Sequence, residues 1–148
     1  MSAYLLNCLD TIDSNTIIQF VLSCYDQDTG GFGGNTYHNP SPIHTLSALQ
    51  ILAIFDKLDL VPCKVQEYLI NQYTKCGGFQ DTTYGEIDGR FTYCIVASLA
   101  ILQLFDKVNI DWTKVSKYIT MCTNFDGGFG SIPGGESHAG YVFCNIGV

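Results

Sequence analysis

Charged side chains are scarce in this 148-residue chain: Asp, Glu, Lys and Arg together make up 14% of it, well below the quarter usual for soluble domains. Basic residues are scarcer still. Seven Lys and Arg stand against fourteen Asp and Glu for a net charge of -7, and Arg90 is the single arginine. That balance supplies no basic stripe to neutralise a phosphate backbone, which excludes nucleic acid as a partner. Long hydrophobic runs are missing too. The longest, Ile95 to Phe105, is interrupted by Ser98 and Gln103 and is too short to span a bilayer. The seven cysteines are odd in number and include no C-x-x-C pair, and no secretory leader is visible. They read as buried reduced thiols in a cytoplasmic protein. No glycine is followed by the Lys-Ser or Lys-Thr of a P-loop. His38 and His44 lie six apart, and no Cys-His-carboxylate set has ligand spacing, so an internal metal site is not supported.

With 47% hydrophobic residues the chain is nevertheless built to bury a core, and what it has in abundance is repetition. Gly30-Gly31-Phe32, Gly77-Gly78-Phe79 and Gly127-Gly128-Phe129 recur about every fifty residues. Phe55-Asp56-Lys57 returns as Phe105-Asp106-Lys107, and Val65 and Tyr68 return as Val115 and Tyr118. Ile17, Ile18, Val21 and Leu22, then Val65, Tyr68 and Leu69, then Val115, Tyr118 and Ile119, fall on one face of a helix with polar residues between. These are outer, amphipathic helices, with Ser14 and Asp111 as N-caps of the first and third. Thr45 to Phe55 and Phe91 to Phe105 are apolar almost all round, as in helices covered on both sides or lining an apolar cavity. Each Gly-Gly-Phe is positioned to end an outer helix, reverse the chain and fold its phenylalanine back over the junction. The periodicity therefore predicts an all-α fold of about three helical hairpins, residues 1–148 forming one domain. Such hairpins must stack to bury their apolar faces.

In a stacked array the loops at one end concentrate function, and here they hold the rarest residues. Arg90 opens an apolar helix, where a cation opposes the helix dipole. Either Glu86 and Asp88 pair with it or an anionic ligand does. His138 follows 48 residues later at the start of the next inner helix, so the two project toward a shared space. Beside Tyr93, Tyr141 and Phe143 they suit a ligand with an anionic head and a long apolar tail, since a guanidinium recognises phosphate oxygens and the rings supply an apolar wall. A helical interaction scaffold fits the periodicity equally well.

The ordered motifs Thr45-Leu46-Ser47-Ala48-Leu49-Gln50-Ile51-Leu52, Tyr84-Gly85-Glu86-Ile87-Asp88-Gly89-Arg90-Phe91, Asn124-Phe125-Asp126-Gly127-Gly128-Phe129-Gly130 and Gly135-Glu136-Ser137-His138-Ala139-Gly140 resemble the β subunits of protein prenyltransferases, above all those of Rab geranylgeranyltransferases. The resemblance runs from about Ser14 to Val148. It implies an α/α toroid of about six hairpins, of which this chain holds about three, bound to a helical α subunit and enclosing geranylgeranyl diphosphate. The implied reaction moves the isoprenoid to C-terminal cysteines of a Rab GTPase presented by an escort protein. By the resemblance, Arg90 and His138 match positions at the diphosphate, and Leu46, Tyr93 and Phe143 match the isoprenoid wall. Met1-Ser2-Ala3-Tyr4 matches a first inner helix whose small residue leaves room for a longer lipid. The family's zinc, which activates the acceptor thiolate, is held by an Asp and a Cys in a D-x-C segment and by a later His, all expected beyond Val148. Asp126 and Cys144 are not among those ligands. The chain is thus expected to be incomplete at both ends and inactive alone. A CaaX prenyltransferase β subunit, of farnesyl or type I geranylgeranyl specificity, and a non-catalytic helical scaffold are the alternatives.

Overall fold

The computed structural model describes residues 2–148, so Met1 of the segment Met1-Ser2-Ala3-Tyr4 lies outside the described residues. Among the described residues are seven α-helices, three short 3-10 turns (Leu9–Thr11, Leu58–Leu60 and Phe105–Lys107) and no strand; the α-helices are α1 (Ser2–Leu5), α2 (Ser14–Ser23), α3 (Pro42–Ile54), α4 (Lys64–Asn71), α5 (Gly89–Ile101), α6 (Trp112–Met121) and α7 (Ala139–Ile146). The three outer helices α2, α4 and α6 alternate along the chain with the inner helices α3, α5 and α7. The inner three pack side by side in chain order, with α2 against α3 and α4 against α5.

Burial follows the apolar spacing. Ile18 and Val21 on α2, Val65, Tyr68 and Leu69 on α4, and Val115 and Tyr118 on α6 are buried, while the polar positions between them face outward. Leu49, Leu52, Ile95 and Leu99 on α3 and α5 are fully buried between neighbouring helices. Each such side chain contributes about 1.5–3 kcal/mol relative to exposure.

The N-caps differ from expectation at one helix. Asp13, not Ser14, caps α2, its carboxylate accepting the Thr16 N–H; Ser14 is already helical. Asp111 caps α6 as expected, accepting from Lys114 N. The inner helices are capped by a polar side chain at the same place in each unit: Ser41, Asp88 and His138. Four residues beyond the first two caps, Thr45 and Thr92 are buried and their hydroxyls accept the backbone N–H of Phe32 and Phe79, at 3.1 and 3.4 Å. These bonds tie each Gly-Gly-Phe to the inner helix that follows it.

Two further details of the repeat are corrected. Helix α5 stops at Ile101 instead of reaching Phe105, because Gln103 adopts a left-handed conformation (φ 55°) and Leu104 N bonds back to Leu99 O at 2.9 Å. Asp56 (φ 54°), with Lys57 N to Leu52 O, follows α3 in the same way, and Asn7 (φ 52°), with Cys8 N to Ala3 O, follows α1. The equivalent of Asp56 is therefore Gln103, and the repeated Phe-Asp-Lys triplet lies three residues out of structural register.

The glycines, for their part, do not end the outer helices. Those end at Cys24, Gln72 and Cys122, all right-handed, five or more residues earlier. Gly30 and Gly77 have φ of 91° and 96°, and each seats the next unit. A Cβ on Gly30 would meet the Lys64 carbonyl oxygen at 2.7 Å, and one on Gly31 the Tyr68 ring at 2.8 Å. Gly77 and Gly78 meet Lys114 and Tyr118 in the same manner. Contact with the following outer helix, not chain reversal alone, demands the glycine pair.

Candidate functional site at the starts of α5 and α7

Asp88 organises the start of α5. It is 4% exposed, and its Oδ1 accepts the Arg90 N–H at 2.7 Å, as an N-cap does. Both its oxygens also accept from the Arg90 side chain: Nε donates to Oδ2 at 2.8 Å and to Oδ1 at 3.2 Å, and Nη2 donates to Oδ2. Nη2 also reaches Glu86 Oε1 at 3.4 Å. Of the two partners left open for Arg90, the ion pair with Glu86 and Asp88 is present, but it engages one edge of the guanidinium, and Nη1 makes no hydrogen bond among the described residues. The side chain remains 44% exposed, so the free edge is accessible. The Asp88 carboxylate offsets the unfavourable placement of a cation at a helix N-terminus and fixes the fork's direction. Burial of the N-cap helps too: Gly89, directly after it, leaves room for Asn145, whose side chain a Cβ would meet at 2.7 Å.

His138 caps α7, its Nδ1 accepting the Gly140 N–H at 3.0 Å. That contact assigns the neutral ring's proton to Nε2, which is therefore the edge offered outward as a donor. The structural equivalent of His138 is Asp88, and that of Arg90 is Gly140, since the caps rather than the cation keep the repeat distance. The two predicted residues are nevertheless close to one ring: the Arg90 guanidinium carbon lies 6.0 Å from the Tyr141 ring centre and the His138 ring 5.6 Å from it. Tyr141 bridges the second and third units.

Leu46, Tyr93 and Phe143 lie five residues after the respective caps, at one register on α3, α5 and α7. Tyr93 and Phe143 pack edge to face with ring centres 5.3 Å apart. Phe143 is 66% exposed, while Leu46 is buried. The structure therefore brings Tyr93 and Phe143 together and places Leu46 in the same row one helix further on.

What the sequence did not disclose is how the loop before His138 is held. Asp126 Oδ1 accepts the Gly128 N–H at 2.9 Å and the Ser137 hydroxyl at 2.8 Å, and Asn124 Nδ2 donates to Gly135 O and Ser137 Oγ. These bonds hold the Asp126 carboxyl below its usual range. The recurrence of a polar residue nine residues after the phenylalanine of each Gly-Gly-Phe was the available signal for the caps.

Among the described residues no three His, Cys, Asp or Glu side chains lie close enough together to hold a metal ion. The zinc implied by the resemblance has no ligand set among them. The cysteines are all unpaired; Cys24, Cys94 and Cys122 are buried, but Cys63 and Cys76 are exposed, contrary to the reading of all seven as buried. Burial pushes the Cys94 thiol up to about 12, so it stays protonated and is no nucleophile. No described helix is long and apolar enough to cross a membrane.

Alternating outer and inner helices, the inner ones packed side by side in chain order, define an array of α-hairpins. The prenyltransferase alpha-alpha toroid domain matches residues 1–148, and the chain belongs to that family. Among its relatives, the Saccharomyces cerevisiae geranylgeranyl transferase type-2 subunit beta is 35% identical over 97 residues, covering 63% of this chain and 30% of the yeast protein. The Candida albicans type-2 subunit beta is 38% identical over 105 residues, covering 63% and 31%. A probable type-2 subunit beta of Dictyostelium discoideum is 53% identical over 55 residues, covering 37% and 16%. The matched regions thus span about a third or less of these relatives' lengths. In structure, Candida albicans protein geranylgeranyltransferase-I complexed with GGPP superposes with a TM-score of 0.82 at 18% identity, covering 91% of this chain and 42% of that one; at such identity the likeness speaks for the fold.

Proposed function

We propose that residues 1–148 form one domain of a Rab geranylgeranyltransferase β subunit and contribute part of its site for geranylgeranyl diphosphate. The observation that carries the reading is the row Leu46, Tyr93 and Phe143 at one register on adjacent inner helices, with Arg90 and His138 at the head of that row. In this reading the row forms part of the wall along the isoprenoid. The free Nη1 edge of Arg90 and the Nε2–H of His138 donate to diphosphate oxygens, stabilising the charge that develops as the diphosphate leaves. Asp88 holds the guanidinium side-on for that task. The type-2 β subunits among the relatives support this choice over a CaaX enzyme.

The same reading gives the protein an α subunit, a Rab GTPase brought by an escort protein as acceptor, a zinc ion held by an Asp, a Cys and a His outside this chain, and a cytoplasmic location. The chain alone does not turn over. In the assembled enzyme, Arg90→Ala is expected to weaken geranylgeranyl diphosphate binding by about 2 kcal/mol, roughly thirtyfold. Arg90→Lys should restore little of it, because an ammonium cannot pair side-on with Asp88 and still present a second edge. Equilibrium binding of a fluorescent lipid diphosphate measures both, and unchanged affinity in Arg90→Ala overturns the assignment.

A further inference from the structure

Two of the three outer helices are seated on the glycine pair of the unit before them, and the parts of one further seam stand open on the first and third units. The outer helices align at their ends, Cys24, Gln72 and Cys122. That alignment puts Phe20 of α2 where α4 and α6 have Tyr68 and Tyr118, and Thr16 where they have Lys64 and Lys114. Tyr68 and Tyr118 are 5% and 4% exposed, one packed against Gly31 and the other against Gly78. Phe20 is 51% exposed, and no glycine stands before it in the chain. On the third unit the complementary part is open. Gly127 has a positive φ of 79°, close to the 91° and 96° of Gly30 and Gly77. A Cβ on Gly30 or Gly77 would strike the carbonyl oxygen of Lys64 or Lys114, but one on Gly127 meets nothing within 4 Å. The third seat has the shape of the other two and no helix of this chain upon it.

The inner helices carry the same mismatch. Eight residues after their caps, Leu49 and Val96 are buried, whereas Ile146 on α7 is 70% exposed. Counted from its cap, α7 corresponds to residues 42–49 of α3; counted from the left-handed residue that follows it, α1 corresponds to residues 51–54. A second copy placed on the third unit as the second unit is placed on the first therefore sets α7 and α1 end to end, neither in the space of the other. Stacked units are held by nearest-neighbour seams, and a head-to-tail contact closes into a ring when its rotation allows. This chain superposes on 42% of a larger toroid, so two copies span most of one turn. We propose that the 148-residue chain pairs head to tail with a second copy, α2 of each seating Phe20 on Gly128 and Thr16 on Gly127 of the other. The occupant follows from the seat: what covers the other two is an outer helix with an aromatic residue at this position, and α2 is the one such helix here whose aromatic residue is open. The pairing does not depend on the diphosphate assignment.

Sedimentation velocity of the 148-residue chain at micromolar concentration tests this, and a particle of twice the monomer mass is expected. Phe20→Lys puts a charge into the seam while costing the free chain little, since the ring is half exposed there. Gly127→Asn adds a side chain that meets nothing in the free chain and that tolerates the positive φ, but it obstructs the incoming helix. Each variant alone should sediment as a monomer with the helical circular dichroism of the unaltered chain. If Phe20→Lys loses that signal, Phe20→Ala takes its place with the same expectation. An equimolar mixture of the two variants should form a one-to-one heterodimer, because the Gly127→Asn chain keeps its α2 and the Phe20→Lys chain keeps its seat. A monomeric unaltered chain, a dimer that survives either substitution, or a mixture no more associated than its parts overturns the proposal.

Discussion

A carboxylate does different work at three places in this chain, and the difference lies in what it touches. Asp88 is buried against a guanidinium; Asp81 is partly buried, and burial together with Glu86 raises its pKa. Asp126 is fully exposed, and hydrogen bonds from Gly128 and Ser137 lower it. For Asp126 the linkage runs one way: a folded-state pKa below the ordinary 3.8 means that its contribution is present above that value and is lost as pH falls through the lower folded one. The loop that presents His138 is therefore expected to loosen in acid before the helices do. Following the amide signals of Gly128 and Ser137 from about pH 6 to pH 2 should show one transition below the usual carboxylate range. The Asp126→Asn chain should lack it, and a transition of equal size there would assign the loosening to another group.

At the level of the helix, the chain spends conformational energy at the exits of α1, α3 and α5. Asn7, Asp56 and Gln103 all adopt positive φ where glycine is usual. Asn and Asp tolerate that region because their short side chains bond locally, whereas Gln does so at a cost of about 1 kcal/mol. Gln103 is exposed. Gln103→Gly is expected to stabilise the chain by about 0.5–1 kcal/mol, the relief of strain exceeding the added freedom of the unfolded state. Denaturant unfolding checks this, and a destabilised variant would show that Gln103 makes a compensating contact. These exits also mark what could be read from residues alone. Helix type and burial were legible, because Val65, Tyr68, Val115 and Tyr118 repeat with helical spacing. The exits were not. Phe105-Asp106-Lys107 copies Phe55-Asp56-Lys57 in letters, but the backbone turns at Gln103, and no residue preference distinguishes that position. That Arg90 requires an anionic partner was legible for the opposite reason: a single arginine at the start of an apolar helix has few places to go. The Asn124–Asp126–Ser137 brace was not, because it joins residues whose neighbourhood only the folded loops create.

Across the whole chain, stability is a sum over units and the seams between them. Each seam is one glycine pair against one outer helix. Gly78→Val places a branched side chain where even a Cβ would sit 2.8 Å from the Tyr118 ring, so the seam between the second and third units should open. Hydrogen exchange is expected to show α6 and α7 losing protection while α2 to α5 keep theirs. Uniform loss across all helices would mean that the units fold as one cooperative block. Phe129 illustrates the same dependence in the unaltered chain. Phe32 and Phe79 are fully buried and bonded to a threonine hydroxyl, whereas Phe129 is partly exposed and the matching residue on α7 is Val142.

The glycine seams also fix where such a protein can be cut and rejoined. Gly30 and Gly31 are shaped by Lys64 and Tyr68, residues that come more than thirty positions later and belong to the next unit. The natural module for exchange between related chains is therefore not the hairpin, which begins at an outer helix, but the stretch from one Gly-Gly-Phe through the next outer helix. A chimaera joined within the loop between an outer helix and its Gly-Gly-Phe keeps each lock with its key; one joined just before an outer helix separates them.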